Sequence, residues 1–182
     1  MGFHTFDPAQ TDRLEDPSRF RFCSREELLQ YLPRGETVLD IGSGTGVYTT
    51  ELAPFFAQVY ALDVQPEMHE QYRERGVPEN VRLVTADAGS IPLAPDRVDG
   101  AFSTMTYHES ASEDALASLS RVLVPGGSVV IVDWSRAGNG EAGPPRDERY
   151  DAETAAQAFA DAGFTIEHAT ERSETFHLVA QA

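Results

Sequence analysis

The chain has 182 residues, 41% hydrophobic and 24% charged, which suits one domain with a buried core and leaves no apolar run long enough to cross a membrane. Its 30 acidic residues against 14 basic ones give a net charge of −16, which argues against nucleic acid or an anionic membrane as partner, since both need clustered Lys and Arg. A single cysteine, Cys23, excludes an internal disulfide and a thiolate metal cage; no metal is expected, and Cys23 reads as an ordinary half-buried residue.

The elements follow in chain order. Residues 1–35 carry Asp7, Asp12, Glu15 and Asp16 where a signal peptide would be apolar, so a cytoplasmic location is expected. Ser24 and Glu27 stand at capping-box spacing before a short helix, and this segment is expected to form a cap or lid on a core domain at 36–182. Thr37–Ile41, Gln58–Val64 and Val81–Ala86 read as three apolar strands. Between them lie helices over Gly46–Phe56, interrupted by Pro54, and over Pro66–Arg75.

Val98–Ser103 and Ser128–Trp134 are the fourth and fifth strands. Ser110 or Ser112 caps the helix between them, which presents Leu116, Leu119 and Leu123 at helical spacing until Pro125-Gly126-Gly127 ends it. Residues 135–150 form a Gly/Pro-rich loop and a second candidate lid. Asp151 caps a last helix that Gly163 terminates, and residues 164–170 and 175–181 close the chain as two tightly connected, antiparallel strands. Alternating βα units with near-continuous apolar strands imply a mostly parallel sheet with helices on both faces.

The stretch "VLDIGSGTG", Val38–Gly46, joins a buried strand to a helix through a glycine turn, an arrangement in which backbone N–H groups can approach a ligand. Gly42, Gly44 and Gly46 follow G-x-G-x-G, not the G-x-G-x-x-G of the dehydrogenase fingerprint. Each of the first three strands ends in an acidic residue: Asp40, Asp63 and Asp87. Asp63, 17 residues after Gly46, is placed to accept ribose hydroxyls, and Asp87, 24 residues further on, to accept from an exocyclic amine.

These motifs, with "ALDV", "TADAGSIPLAPDRVDGAFS" and "LSRVLVPGGSVVIVDW", resemble the class I S-adenosylmethionine-dependent methyltransferases of the small-molecule, ubiquinone-biosynthesis-like (type 11) branch, over about residues 36–135. The resemblance implies a Rossmann-like seven-stranded sheet whose last strand is antiparallel. It also implies S-adenosylmethionine as methyl donor, S-adenosylhomocysteine as product, and a small-molecule acceptor methylated on carbon, oxygen or nitrogen. By that similarity Gly42, Ser43, Gly44 and Gly46 surround the methionine part of the donor, and Asp40 orients the loop or the donor's amino group. Asp63 takes the ribose hydroxyls, Val64 lies against adenine, Asp87, with Ala88 beside it, accepts from the adenine amine, and Ser103 ends its strand beside the sulfonium.

"TYHES" follows the fourth strand, where the acceptor belongs. His108 is a candidate general base and Tyr107 a candidate partner of the methyl-sulfonium region; the alternative is that His108 caps the next helix and Tyr107 packs beneath it. Asp133 either holds a polar acceptor group or satisfies its own loop. Arg146 and Arg149 either clamp an anionic substrate or neutralise Asp147 and Glu148.

Two other classes stand as rivals: a non-catalytic donor-binding subunit of a partner, which keeps the same glycine loop, and an NAD(P)-dependent oxidoreductase, which the G-x-G-x-G spacing disfavours. All 14 basic residues are arginine, so the Tyr-x-x-x-Lys pair of the common short-chain dehydrogenases is impossible. The acid excess reads as a surface solvated for molar salt, where the Debye length falls to roughly 3 Å, and an extreme halophile is the expected source. Monomer and homodimer are both compatible with the sequence.

Overall fold

The computed structural model describes residues 14–182, so Asp7 and Asp12 lie outside the described residues. Among the described residues, seven strands form one sheet in the order β3-β2-β1-β4-β5-β7-β6. They are β1 (Thr37–Ile41), β2 (Gln58–Asp63), β3 (Val81–Thr85), β4 (Val98–Thr104), β5 (Leu123–Trp134), β6 (Thr165–Glu171) and β7 (Thr175–Gln181). The first five run parallel, whereas β7 is antiparallel to both β5 and β6. The strand order reverses between β1 and β4, and in such sheets the crevice at the carboxyl ends of those strands is the binding place.

Both faces of the sheet are covered, which explains the continuous apolar runs. Leu39, Ala101, Val129 and Leu178 face one layer, completed by Leu116 and Leu119 of α5 (Glu113–Val122) and Phe159 of α6 (Ala152–Asp161). Their neighbours Val38, Phe102, Val130 and Val179 face the other, against α1 (Arg25–Tyr31), α2 (Val47–Leu52) and Tyr72 of α3 (Pro66–Arg75). Each fully buried aliphatic or aromatic side chain contributes roughly 1.5–3 kcal/mol.

The helix boundaries follow their caps. Ser24 and Glu27 form the reciprocal capping box of α1. Asp151 accepts the Thr154 N–H at the start of α6. Of the two candidate serines, Ser112 caps α5, and the "YHES" residues form a separate one-turn helix, α4 (Tyr107–Ser110). Pro54 does end α2, the chain continuing as a short 3-10 turn.

Two expectations change. Leu123 is the first residue of β5, not part of α5, which ends at Val122. Pro125-Gly126-Gly127 lies within that strand as an irregularity, where the β4–β5 register shifts, and the Gly126 N–H bonds to the Ala182 carbonyl. Cys23 is fully buried, and burial pushes its thiol up to about 12, which leaves it unreactive.

The segment before β1 is packed into the second layer through Cys23, Leu28, Leu29 and Leu32. Phe20 meets the Tyr48 ring at 5.1 Å, Phe22 meets Trp134 at 4.8 Å, and Glu15 pairs with Arg75 of α3. The 135–150 loop is fastened on the far side of Trp134: Ser135 bridges to Tyr150, and the Glu174 carboxylate accepts the N–H groups of Gly140 and Glu141.

Candidate active site

A cleft of about 270 Å³ opens at the carboxyl ends of β1, β2 and β4. Its floor is the glycine turn. The Leu62 carbonyl, at the end of β2, accepts the N–H groups of both Gly42 and Ser43 at 2.8 Å, which pins the turn to the neighbouring strand. Asp63 completes the attachment: Oδ2 accepts the Gly44 N–H at 2.7 Å and Oδ1 the Gln65 N–H at 2.9 Å. Burial raises the Asp63 pKa, and these backbone donors oppose that rise.

The glycines have different reasons for being glycine. A Cβ at Gly42 (φ +74) would lie 2.1 Å from Thr106, and one at Gly46 (φ +81) 2.2 Å from the Tyr72 ring. Only Gly44 (φ +54) looks into open space, with Leu14 at 3.7 Å. Gly42, Ser43 and Gly44 line the cleft, whereas Gly46 does not: it is the left-handed N-cap of α2 and yields its space to Tyr72.

Asp40 also lies behind the cleft, not in it. Its Oδ2 accepts the Thr49 hydroxyl at 2.5 Å, bracing the turn against α2, and its Oδ1 has no partner. Complete burial pushes its pKa up to about 7. Behind Ser43, the buried ring of His69 bridges Ser43 Oγ (3.4 Å) and Thr85 Oγ1 (2.8 Å), and burial lowers its pKa.

Asp63, Val64, Asp87 and Ala88 form the next wall. Val64 is 48% exposed, the one large exposed hydrophobic side chain among the described residues. Asp87 both lines the cleft and caps the turn at Ala88–Ser90 by accepting the Gly89 N–H, so the cap and the ligand reading coexist at one residue.

At the β4 end the expectations separate. Ser103 is buried, donates to the Ile41 carbonyl at 2.9 Å, and faces a second, apolar cavity of about 20 Å³. Tyr107 faces the same small cavity, packed against Tyr150, Phe159 and Phe176, so it belongs to the core. His108 is outside the cleft wall, its ring held by Asp133 through Nδ1 at 2.9 Å. Asp133 is fully buried and accepts the N–H groups of His108 and Trp134 as well, so it holds α4 and its own turn, not a substrate.

Arg146 and Arg149 are not clamps either, and no residue of 135–150 lines the cleft. Arg146 donates to the Gly138 carbonyl. Arg149 is buried, donates to the Pro144 and Ser135 carbonyls, and faces Glu174 at 3.8 Å. Both arginines bond mainly to the loop's own backbone carbonyls, instead of compensating Asp147 and Glu148.

Among the cleft residues that escape sequence reasoning are Arg19, Tyr48, Met105 and Glu109. Arg19 reaches in from the N-terminal segment, donating to the Leu14 carbonyl and approaching Met105 Sδ at 3.5 Å, while its Nε has no partner. Burial lowers the Arg19 pKa. Met105 sits at φ +58, a left-handed conformation that costs a non-glycine residue on the order of 1–2 kcal/mol and concentrates at functional sites.

A model of the Methyltransferase domain family matches residues 39–131, from β1 into β5. The solved structure of a SAM dependent methyltransferase from Aquifex aeolicus is 32% identical, with a TM-score of 0.88 over 97% of this chain and 99% of that one. The chain belongs to the S-adenosylmethionine-dependent methyltransferases.

This methyltransferase is also 34% identical over 116 residues to the Ubiquinone/menaquinone biosynthesis C-methyltransferase UbiE of Azotobacter vinelandii, covering 58% of this chain and 45% of the relative. It is 39% identical over 109 residues to the Biotin biosynthesis bifunctional protein BioHC of Cellvibrio japonicus, covering 58% and 22%. The chain thus spans less than half the length of these curated relatives. The matched region of the methyltransferase contains the glycine turn, Asp63, Val64, Asp87 and Glu109, and leaves Arg19 outside. The methyl donor of the family is S-adenosylmethionine.

Proposed function

We propose that the chain transfers a methyl group from S-adenosylmethionine to a small organic acceptor, with the donor lying along the cleft from Arg19 to Asp87. The observation that carries this reading is the order of the lining groups. The glycine turn and the guanidinium of Arg19 meet at one end, Asp63 sits in the middle, and exposed Val64 with Asp87 stands at the other. Two buried polar atoms at the first end lack partners, Arg19 Nε and Thr45 Oγ1. Neither atom is open to the cleft; what the cleft offers an amino-acid group is the guanidinium of Arg19 for a carboxylate and the backbone of the glycine turn, and these residues fit the donor.

In this reading Asp63 accepts the ribose hydroxyls, Val64 covers a face of the adenine, and Asp87 accepts from its amine. Gly42, Ser43 and Gly44 supply backbone to the methionine part, while Asp40 and Gly46 act through the shape of the turn. The bound donor supplies an electrophilic methyl on a positively charged sulfur, and the protein's share is alignment and exclusion of water. The segment containing Leu14 and Arg19 closes one side of the cleft and serves as its lid. The relatives' names, in ubiquinone/menaquinone and biotin biosynthesis, favour a small-molecule acceptor, as does the net charge of −16.

Calorimetric titration in molar KCl tests the assignment, with S-adenosylmethionine and S-adenosylhomocysteine as ligands and NADH and NADPH as controls. Both sulfur compounds are expected to bind, and Asp63→Ala, checked for folding by its melt, to weaken them at least about tenfold, as loss of a charged hydrogen-bond acceptor requires. Folded protein that binds neither sulfur compound, or prefers a nicotinamide, overturns the reading.

A further inference from the structure

The one-turn helix α4 divides its residues between two environments. Thr106, Glu109 and Ser110, at i, i+3 and i+4, line the cleft, while Tyr107 and His108 lie behind it. The left-handed Met105 precedes this helix, and its N–H donates to the Val132 carbonyl at 2.7 Å, which sets the angle at which α4 leaves β4. Behind the cleft, Asp133 takes both the backbone N–H of His108 (2.5 Å) and its Nδ1–H (2.9 Å). With the ring fixed at Nδ1, Nε2 is the free nitrogen, and it stands 3.7 Å from Glu109 Oε1. The order is therefore buried carboxylate, imidazole, cleft-lining carboxylate.

We infer that Glu109 is the catalytic base of this cleft, and that His108, held by Asp133, is the positioning residue that acts on it through charge across 3.7 Å. The inference rests on the donor reading above. It also narrows the acceptor class to one that carries a proton on the atom that is methylated, such as an enol, phenol or amine. As the bond from methyl to acceptor forms, the bond from methyl to sulfur breaks and its electron pair stays on sulfur. The acceptor atom, cationic or already losing its proton, delivers that proton to Glu109 Oε, from which it leaves through the cleft to water. No oxidant or second reactant is needed.

His108 faces Asp133 from β5, Glu109 from its own helix and Glu148 from the 135–150 loop, with Arg149 near Asp133. Burial of the ring opposes charge, but the three carboxylates outweigh it and raise the His108 pKa. The two carboxylates on either side thus favour the protonated ring. Histidine suits this place, because its ring presents one nitrogen toward each carboxylate.

The test follows the His108 ring nitrogens by NMR of ¹⁵N-histidine-labelled full-length protein across pH 5–9, assigned with His108→Gln. Glu109→Gln keeps the side-chain shape and is expected to lower the His108 pKa by about one to three units, the effect of removing an opposite charge at this distance. An unchanged titration overturns the couple. In parallel, S-adenosylhomocysteine release is read with catechol, a 1,3-diketone and an aromatic amine as acceptors. Where the wild type turns over, Glu109→Gln is expected to lose about 10²–10⁴-fold in kcat, Glu109→Asp to recover part of it, and His108→Gln to shift the pH profile. A loss under about threefold in Glu109→Gln overturns the base. The titration decides whether or not the panel contains an acceptor. Calorimetry keeps the two readings apart: Glu109→Gln retains S-adenosylhomocysteine affinity, and failure of the wild type to bind it refutes the donor reading, and the base with it, while the titration still reports on the His108–Glu109 couple.

Discussion

Gly46→Ala separates packing from ligand contact in the glycine turn. The added Cβ lies 2.2 Å from Tyr72 Cε1 and Cζ, and the ring has no room to retreat: Tyr72 is 1% exposed, and its hydroxyl accepts the Thr50 hydroxyl at 2.9 Å. Forcing alanine to φ +81 costs roughly 1–2 kcal/mol and overpacking the ring a further ~1–3 kcal/mol. The total, about 2–5 kcal/mol, corresponds to a fall in Tm on the order of 5–20 °C for a domain of this size. Gly44→Ala pays only the backbone cost, roughly 1–2 kcal/mol, since its Cβ meets nothing closer than Leu14 at 3.7 Å. Differential scanning calorimetry in molar KCl reads both, and combining Gly46→Ala with Tyr72→Leu is expected to show a coupling of about 0.5–3 kcal/mol. If Gly46→Ala melts no lower than Gly44→Ala, the turn is not spaced by Tyr72 and the argument fails.

Removing the buried guanidinium in Arg149→Met leaves Glu174 uncompensated and costs on the order of 3–5 kcal/mol, with donor affinity unchanged; a weakened donor Kd in folded variant would return Arg149 to the cleft. Asp40, raised by burial to about 7, contributes stability that is complete below its unfolded value near 3.9 and is lost as pH climbs through 7. Asp40→Asn removes that loss, so variant minus wild-type stability should climb between pH 4 and pH 7 by up to ~4 kcal/mol, and a pH-independent difference in urea melts refutes it. With a net charge of −16, Tm is expected to rise steadily from about 0.1 M to about 2 M KCl as repulsion is screened, and a flat profile would remove the high-salt reading of the surface.

The fold was legible because its signals are local. Capping residues Ser24, Ser112 and Asp151, the helix-breaking Pro54 and the apolar strand runs each act within a few residues of themselves. The Asp63 half of the cleft was legible for the same reason: a strand end and the turn beside it are joined by bonds from Gly42, Ser43 and Gly44. The other half is made at long range. Arg19 comes from a segment with no periodic signal, and its place beside Met105 is a contact across 86 residues. Of "TYHES" the cleft is lined by Glu109 and Ser110 and not by Tyr107 or His108, because with Thr106 they fall at i, i+3 and i+4, a spacing that a lone histidine in the sequence does not reveal. Arg146 and Arg149 looked like anion ligands because carbonyl-bonded arginines leave no mark in a sequence.

The placing of β7 between β5 and β6 has a consequence for vectorial synthesis. β6 leaves the ribosome before β7 but has no partner in the sheet except β7, and β5 keeps an open edge until the same strand arrives. The glycine-turn half of the cleft, built on β1, β2 and the turn between them, can form while the chain is still being made. The β5 edge then stays available to another chain, and a single late strand closes the sheet by pairing on both sides at once.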